Sequence, residues 1–177
     1  MIGFFQYFYQ QAVQMPDTKY PYLPEGRTIE YVPADNQFIR YARFFARLQS
    51  LDKTMPGAAI VVRDDEILGI GANGSDYHAK HGCERVRRGC PTGQGYELCE
   101  GCHPKNHSEP RAIVNAGTLG NDPQGADLYL WGHWWCCQWC WDAMCEAGIA
   151  RVFLMENSEV LFNKEHPDNV VGRQFSI

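Results

Sequence analysis

The sequence predicts an α/β domain of three layers, α/β/α, with a mixed central sheet. Two short apolar runs, 58–62 and 67–70, flank a polar segment and indicate an antiparallel β-hairpin. Further along, helix-like and strand-like segments alternate twice, which is the order that packs helices against a sheet. A hairpin followed by helix, strand, helix and strand therefore favours a mixed sheet with helices on its faces.

The composition is that of a folded domain with an acidic balance. The chain has 177 residues, of which 45% are hydrophobic and 21% charged, so wholesale disorder and a fibrous chain are excluded. The formal net charge of −5 argues against binding duplex DNA by bulk charge, because such binding needs a basic face. No apolar run approaches the roughly 20 residues that span a bilayer.

The role of the eight cysteines depends on whether the protein lies in a reducing or an oxidising compartment. The first nine residues lack the basic leader and the small-residue cleavage site of a signal peptide, so we expect a cytoplasmic protein without a membrane segment. In a reducing compartment, the eight cysteines are expected to be metal ligands or catalytic groups rather than disulfides.

Residues 1–34 are predicted to be an N-terminal extension wrapped on the domain, which then occupies 35–177. The extension is rich in aromatic residues and proline and shows no sustained period. Asp35 is expected to cap the first helix, because apolar residues follow it at helical spacing. They are Phe38, Tyr41, Ala42, Phe45 and Leu48. The arginines on the other side, Arg40, Arg43 and Arg47, are interpreted as a solvated face.

Residues 73–106, after the hairpin, form a long polar and glycine-rich segment without a clear period. A loop of this length in a compact domain is usually functional or is held by something other than a core. Its cysteines are candidate ligands of a second, structural zinc: Cys83, Cys90, Cys99 and Cys102. A histidine could replace one thiol, namely His78, His81 or His103. The alternative of reduced, idle cysteines stays open, because the spacings match no common zinc-finger pattern.

The alternating part begins after this segment. Residues 108–116 and 137–147 are predicted helices, and residues 126–131 and 151–155 are predicted strands. Gly148 is a typical C-cap of the second helix. The last twenty residues carry no clear pattern.

Two short motifs at the starts of these helices carry the chemistry. The first is His107-Ser108-Glu109 and the second is Cys137-Gln138-Trp139-Cys140. One imidazole and two thiolates can hold a zinc ion with its fourth position open to water, which is the catalytic arrangement. A helix start favours the thiolate form of cysteine, and zinc lowers the pKa of a bound water toward 7.

Glu109 follows His107 by two residues, so it can reach that water without being a ligand. A carboxylate there is suited to general acid/base catalysis. Either motif alone is ambiguous, since Cys-x-x-Cys also occurs in redox and structural zinc sites. The two together, each opening a helix, predict a catalytic zinc rather than a structural one with an incidental glutamate.

With these residues the chain resembles the zinc-dependent cytidine/deoxycytidylate deaminase superfamily, whose signature is His-x-Glu followed by Pro-Cys-x-x-Cys. The resemblance spans about residues 57–155 and includes the order of the elements. Four segments are similar to the deoxycytidylate deaminases in particular: Cys83-Glu84-Arg85, Pro91-Thr92-Gly93, Tyr96-Glu97-Leu98-Cys99 and His107-Ser108-Glu109. The resemblance implies a cytidine-deaminase-like fold.

The resemblance also implies roles for individual residues. His107, Cys137 and Cys140 would bind zinc, and Glu109 would shuttle protons. Asn73 would contact the sugar, and the backbone N–H of Ser108 would contact the pyrimidine. The implied reaction is the hydrolysis of a cytosine nucleotide to its uracil form, with dCMP to dUMP and ammonia release as the expected case.

The implied partners are a small nucleotide substrate and further copies of the chain, since relatives are usually oligomeric. A base in tRNA or in single-stranded nucleic acid is an alternative substrate, against which the acidic charge weighs. A catalytically silent zinc scaffold is the alternative from another class, but a scaffold has no need of Glu109.

Two departures from the family pattern affect the site. Pro110 directly follows Glu109 and disfavours helical backbone angles there. Cys136 stands where the family has proline and could compete as a ligand. Within the segment 73–106, Arg85, Arg87 and Arg88 could bind a nucleotide phosphate, although a short basic run is more often a solvated turn.

Overall fold

The computed structural model describes residues 18–91 and 93–176, which form a five-stranded sheet between two helical layers. The strands are β1 (Ile29–Val32), β2 (Ala58–Arg63), β3 (Glu66–Ala72), β4 (Asp127–Trp131) and β5 (Arg151–Met155). The α-helices are α1 (Gln37–Gln49), α2 (Tyr77–His81), α3 (Glu84–Arg87), α4 (Ser108–Thr118), α5 (Gln138–Glu146) and α6 (Ser158–Leu161). Short 3₁₀ turns cover Tyr96–Leu98, Glu100–Cys102, Pro104–Asn106 and Gln174–Ser176.

The sheet is mixed, as predicted. Its strand order is β1-β5-β4-β2-β3, with β1, β5 and β4 mutually parallel and β2 antiparallel to both β3 and β4. Helices α4 and α5 pack on one face, and α1 with the C-terminal segment packs on the other. Strand β2 is buried on both faces. Ala59 and Val61 pack on the side of α4 and α5, and Ile60 packs on the side of α1. The three-layer α/β/α prediction is confirmed.

The hairpin of β2 and β3 is confirmed and closes with a two-residue turn. Asp64 and Asp65 have φ values of 52° and 64°, which is the left-handed backbone that a type I′ turn requires at both positions. Aspartate tolerates this backbone better than most residues do. The turn therefore matches the right-handed twist of the two strands.

Helix α1 is confirmed, but its predicted cap is wrong by one residue. The side chain of Asn36, and not that of Asp35, accepts hydrogen bonds from the backbone N–H groups of Phe38 (2.9 Å) and Ile39 (3.3 Å). An N-cap side chain must reach the second or third N–H of the helix, and only the residue just before Gln37 does so here.

Part of the predicted extension belongs to the sheet. Residues 29–32 form the edge strand β1, which pairs in parallel with β5 from Ile29↔Val152 to Val32↔Met155. Apolar and polar residues do not alternate along this four-residue strand, so the sequence pattern does not predict it. Ile29 and Val32 are half-buried, while Glu30 and Tyr31 between them are exposed. Residues 1–17 lie outside the described residues, and for them the extension stays a prediction.

Residues 73–106 contain only short elements. Helices α2 and α3 have five and four residues, none of them buried, and the 3₁₀ turns have three each. Tyr96 and Cys99 are the buried hydrophobic residues among those described in this segment. No helix of the described chain is long and apolar enough to cross a membrane.

Two glycines of β3 set the height of α4 above the sheet. A methyl group added at Gly69 would lie 2.4 Å from the carbonyl oxygen of Ala112, and one added at Gly71 would lie 2.4 Å from the nitrogen of Ala112. The helix therefore lies directly on the strand backbone. This close approach fixes the N-terminus of α4, where the first predicted motif is found.

Candidate metal centre

The structure brings together the three predicted metal ligands. The Nδ1 atom of His107 lies 3.3 Å from Sγ of Cys140 and 3.6 Å from Sγ of Cys137, and the two sulfurs are 3.4 Å apart. Together the three atoms form one of two groups among the described residues that have metal-binding geometry. Such a set of one nitrogen and two sulfurs suits zinc and leaves a fourth position free of protein.

The backbone explains this convergence. His107 and Cys137 are the N-cap residues of α4 and α5, with extended ψ values of 156° and 164°. Cys140 is buried one turn into α5, on the side that faces Cys137. Because α4 and α5 pack on the same face of the sheet, their N-termini present all three donors to one point.

The electrostatics of the pair favour a thiolate at Cys137. Its hydrogen bond with Cys140 lowers the pKa of the Cys137 thiol to about 5, although burial opposes this shift. Burial raises the pKa of Cys140 well above its usual value. Cys137 is therefore the first of the two sulfurs to lose its proton, and thiolate is the form that binds metal.

Glu109 lies in the first turn of α4, two residues after His107, and is not one of the three members of this group. Its side chain is buried, with 5% exposure, and Oε2 accepts a hydrogen bond of 3.0 Å from the Ser108 hydroxyl. Pro110 occupies the first turn of α4, where its missing N–H would have no helical partner in any case. The departure at Pro110 is thus compatible with the helix.

Cys136 is not a member of the group, although it directly precedes Cys137. Its side chain is fully buried, and burial together with the nearby charge of Glu109 raises the pKa of the Cys136 thiol well above the usual value.

The Asn73 side chain is held by the protein on all sides. Oδ1 accepts from the Ser50 hydroxyl (2.6 Å) and from the N–H of Gly57 (2.8 Å). Nδ2 donates to the carbonyl of Met55 (2.8 Å) and lies 3.3 Å from Nε2 of His133. A sugar contact through Asn73, which stays a prediction, would have to share or replace one of these partners.

The three arginines of the basic run, which lie within the segment 73–106, already have partners in the protein. Arg85 donates to the carbonyls of Gln94 (2.7 Å) and Pro91 (2.9 Å) and lies 4.1 Å from the centre of the Tyr96 ring. Glu84 accepts hydrogen bonds from Arg87 (2.8 Å) and Arg88 (2.7 Å). These partners favour a structural role over phosphate binding for the run.

Two tyrosines near the centre carry no assigned role in the sequence prediction. Tyr96 packs edge-on against the imidazole of His107, with 5.8 Å between ring centres. Tyr20 packs against Trp134, and burial raises its pKa, with the charges of Cys136, Tyr96 and Glu109 acting in the same direction. The position of Tyr20 near this centre could not be predicted from the sequence, because residues 1–34 show no periodic pattern that would indicate which part of the domain they contact.

The structure brings together three of the four cysteines predicted to form the second cluster, and a histidine takes the place of the fourth. His78, Cys83, Cys99 and Cys102 place their ligand atoms within 4.8 Å of one another, and Cys90 is outside this group. The backbone N–H of Cys90 donates to the carbonyl of Arg85 in the turn after α3, and its sulfur lies against Gly95. His78 takes the fourth place instead, which was one of the predicted substitutions.

Comparison with known proteins identifies the matching family. The model of the cytidine and deoxycytidylate deaminase zinc-binding region matches residues 33–156. No curated protein matches the chain.

Solved structures of several deaminases are similar to part of this chain. A diaminohydroxyphosphoribosylaminopyrimidine deaminase/5-amino-6-(5-phosphoribosylamino)uracil reductase from Thermotoga maritima is 22% identical over 66% of this chain, with a TM-score of 0.41. This chain spans 28% of that protein's length. The dCMP deaminase of cyanophage S-TIM5 is 23% identical over 68% of this chain and 82% of its own, with a TM-score of 0.45. A structure from studies of tRNA:A34 deaminases is 22% identical over 79% of this chain and 82% of its own, with a TM-score of 0.42.

Proposed function

The chain belongs to the cytidine and deoxycytidylate deaminase family, and from this premise we propose that it converts dCMP to dUMP by hydrolysis and releases ammonia. The family accounts for zinc as the cofactor and for hydrolysis of a C–N bond. The choice of dCMP rests on the four segments that resemble deoxycytidylate deaminases, of which all residues except Thr92 lie in the described part of the chain.

One observation carries the proposal of a catalytic site. Three metal-binding atoms, on His107, Cys137 and Cys140, lie within 4.8 Å of one another, and the buried carboxylate of Glu109 follows the first of them by two residues. A structural zinc site is closed by a fourth protein ligand, and neither Glu109 nor Cys136 completes this group. The donor set therefore fits a zinc ion that keeps one position for a small molecule.

The chemistry divides between the ion and the protein. Zinc, when bound, acidifies water and so supplies a nucleophile at neutral pH. Glu109 takes one proton from the attacking water and passes it to N3 of the base. It then takes the second proton from the hydroxyl formed at C4 and passes it to the departing amine, which leaves as ammonia. The Ser108 hydroxyl holds Oε2 of Glu109 and thereby orients the carboxylate during both transfers. The products are a uracil base and ammonia, so atoms and protons balance.

The experiment is an ammonia-release assay with the full chain on dCMP, CMP, dCTP, deoxycytidine and single-stranded oligonucleotides, each with and without a chelator. We expect release from dCMP above all others and none after zinc is removed. Turnover of oligonucleotides alone would contradict the proposed substrate. If the zinc-loaded protein released no ammonia from any of these substrates, the proposed activity would be excluded and the alternative of a catalytically silent zinc scaffold would remain.

The Glu109→Gln variant tests the proton-transfer step within the same assay. We expect it to retain zinc and to lose turnover by about 10²-fold to 10⁴-fold, because a positioned general acid/base contributes about that much. Glu97→Gln is the matched control, since Glu97 is an exposed glutamate of the 3₁₀ turn at 96–98. Wild-type activity in Glu109→Gln would overturn the mechanism.

A further inference from the structure

The segment 18–22 lies across the N-terminus of α5, where two of the three metal-binding atoms are found. The carbonyl oxygen of Lys19 accepts a hydrogen bond of 3.0 Å from the backbone N–H of Gln138, the first residue of α5. On its other side, the N–H of Thr18 donates to the carbonyl oxygen of Gly93 (2.9 Å). These two backbone hydrogen bonds fix the segment beside the metal centre.

The side chain of Tyr20 reaches from this segment to the metal centre. Its ring packs on the core that contains the metal-binding cysteines and meets the ring of Trp134 edge-on, with 5.6 Å between the ring centres. Burial raises the pKa of Tyr20, and the charges of Cys136, Tyr96 and Glu109 act in the same direction, so these groups lie near the hydroxyl. The phenol is therefore a protonated hydrogen-bond donor in a site rich in acceptors.

The hydroxyl of Tyr20 has no hydrogen-bond partner in the part of the chain that the structure describes. The completely buried polar atoms that lack a partner are Thr18 Oγ1, Trp141 Nε1 and Ser158 Oγ, and the Tyr20 oxygen is not one of them. It is thus open to a small molecule, although most of its ring is covered. A tyrosine hydroxyl in such a place usually has a partner, which points to a bound ligand as the acceptor.

The chemistry of cytosine leaves one acceptor for this donor. In the proposed reaction, Glu109 serves N3 of the base and the amine at C4, so the acceptor that remains on the ring is the carbonyl oxygen O2. A carbonyl oxygen has two lone pairs, so O2 can accept from Tyr20 as well as from the N–H of Ser108. Adenine carries a C–H group at the corresponding ring position and would leave the hydroxyl unpaired.

We propose that the Tyr20 hydroxyl donates a hydrogen bond to O2 of the pyrimidine and thereby selects cytosine over adenine. This inference rests on the proposed function, because it concerns the base on which the same site acts. A site that hydrogen-bonds its substrate rejects an analogue without the matching group, since a polar group of the site is then left unpaired. The segment 18–22, which precedes the first predicted helix, thus takes part in recognising the substrate.

The Tyr20→Phe variant of the full chain tests this contact, because it removes a single hydroxyl that has no partner in the described protein. We expect zinc content and Tm to stay at their wild-type values while kcat/KM for dCMP falls about 5-fold, as the loss of one neutral hydrogen bond implies. Tyr22→Phe is the matched control, since Tyr22 lies on the same segment and packs on the same core, and it should keep the wild-type kcat/KM. Unchanged kcat/KM in Tyr20→Phe would overturn the proposal, and so would a loss of activity that only follows a loss of zinc.

A second experiment identifies the atom of the base that Tyr20 binds. The Glu109→Gln protein should bind dCMP without converting it, so that calorimetry can measure the dissociation constant. An analogue of dCMP with sulfur in place of O2 is a weaker acceptor, and we expect it to bind less tightly than dCMP. The difference should shrink in the Glu109→Gln/Tyr20→Phe protein, where the donor is gone. An equal difference in both proteins would exclude the contact with O2.

The inference and the proposed function fail in different ways. Normal release of ammonia from dCMP by both the wild type and Tyr20→Phe overturns only the role of Tyr20. Wild-type turnover of dAMP as fast as that of dCMP also overturns it, because the hydroxyl would then select nothing. A wild-type protein that releases no ammonia from dCMP overturns the proposed function, and the role of Tyr20 with it.

Discussion

Asn73 shows how a residue that family resemblance assigns to substrate can also hold the scaffold. Its carboxamide uses both the acceptor and the donor side to join the end of α1, the start of β2 and the loop after β4, through Ser50, Gly57 and His133. The desolvated imidazole of His133 has a lowered pKa, which favours the neutral ring beside Asn73. The side chain is 6% exposed. The Asn73 side chain therefore fixes the backbone of these three parts of the fold relative to one another.

We expect Asn73→Ala to lower the free energy of unfolding by about 2 kcal/mol or more, because it leaves the buried N–H of Gly57 and the carbonyl of Met55 without partners. Urea denaturation of the zinc-loaded protein measures this change. Gln49→Ala removes an exposed carboxamide at the end of α1 and should change stability by less than about 0.5 kcal/mol. Unchanged stability with a raised KM for dCMP would instead assign Asn73 to the sugar alone.

The residues of the metal centre could be predicted from the sequence because each motif is local. His107 with Glu109, and Cys137 with Cys140, are separated by two and three positions, so a helix start brings each pair together. The partners of Asn73 could not be predicted, since they are 16 to 60 residues away and meet it only through the sheet. For the same reason the sequence favoured Cys90 over His78, because only the fold shows which way each side chain turns.

Helix α4 reaches its position through the glycines beneath it. The interval between Gly69 and Gly71 places two residues without side chains on the same face of β3, directly under Ala112. Since His107 caps this helix and Glu109 lies in its first turn, the packing height of α4 decides where both side chains point.

The Gly71→Ala substitution should therefore weaken the metal centre from a distance. The added methyl group would lie 2.4 Å from Ala112 N and 2.6 Å from the Ser108 carbonyl oxygen, and neither backbone atom can move alone. We expect a loss of about 1 to 3 kcal/mol in stability, as overpacking usually costs, together with weaker zinc binding in a chelator competition assay.

Gly117→Ala is the control on the same helix. Nothing lies within 4 Å of a methyl group at Gly117, so alanine there should stabilise α4 by up to about 1 kcal/mol. If Gly71→Ala bound zinc as tightly as Gly117→Ala, the packing of α4 on β3 would not control the centre.

Helices and strands with a clear pattern of apolar residues could be predicted from the sequence. Elements that form only because they pair with a distant part of the chain could not. The amphipathic pattern of α1 and the apolar runs of β2, β3 and β5 gave nearly the observed bounds. Strand β1 lacks such a pattern, since it owes its conformation to the parallel edge that β5 offers. The turns of 73–106 are equally invisible to periodicity, because side chains from several turns hold them together.

The first described residues join three parts of the fold that are far apart in sequence. The N–H of Thr18 donates to the carbonyl of Gly93 (2.9 Å), and the carbonyl of Lys19 accepts from the N–H of Gln138 (3.0 Å). The indole of Trp135 donates to the carbonyl of Tyr22 (2.7 Å). Residues 18–22 thus connect the long segment to the N-terminus of α5, and β1 then closes the edge of the sheet.

This arrangement predicts that the folded unit begins well before residue 35. A chain that starts at Asp35 loses β1 and exposes the edge of β5, and it also loses the packing of Tyr20, Tyr22 and Ile29 on the core. Burial of a large apolar side chain contributes about 1.5 kcal/mol or more, so we expect a loss of about 4 kcal/mol. In a protein of this size that lowers Tm by about 10 °C.

A chain that starts at Thr18 is the matched control, since it keeps the hydrogen bonds of residues 18–22 and the pairing of β1 with β5. Thermal unfolding of the zinc-loaded proteins compares the two chains, and the metal count of each shows whether the centres survive. If the Asp35 chain unfolded at the same temperature as the Thr18 chain, β1 and residues 18–22 would be an appendage. If its Tm fell as expected, the domain boundary would move from residue 35 to residue 18 or earlier, because the sheet would need its edge strand to be stable.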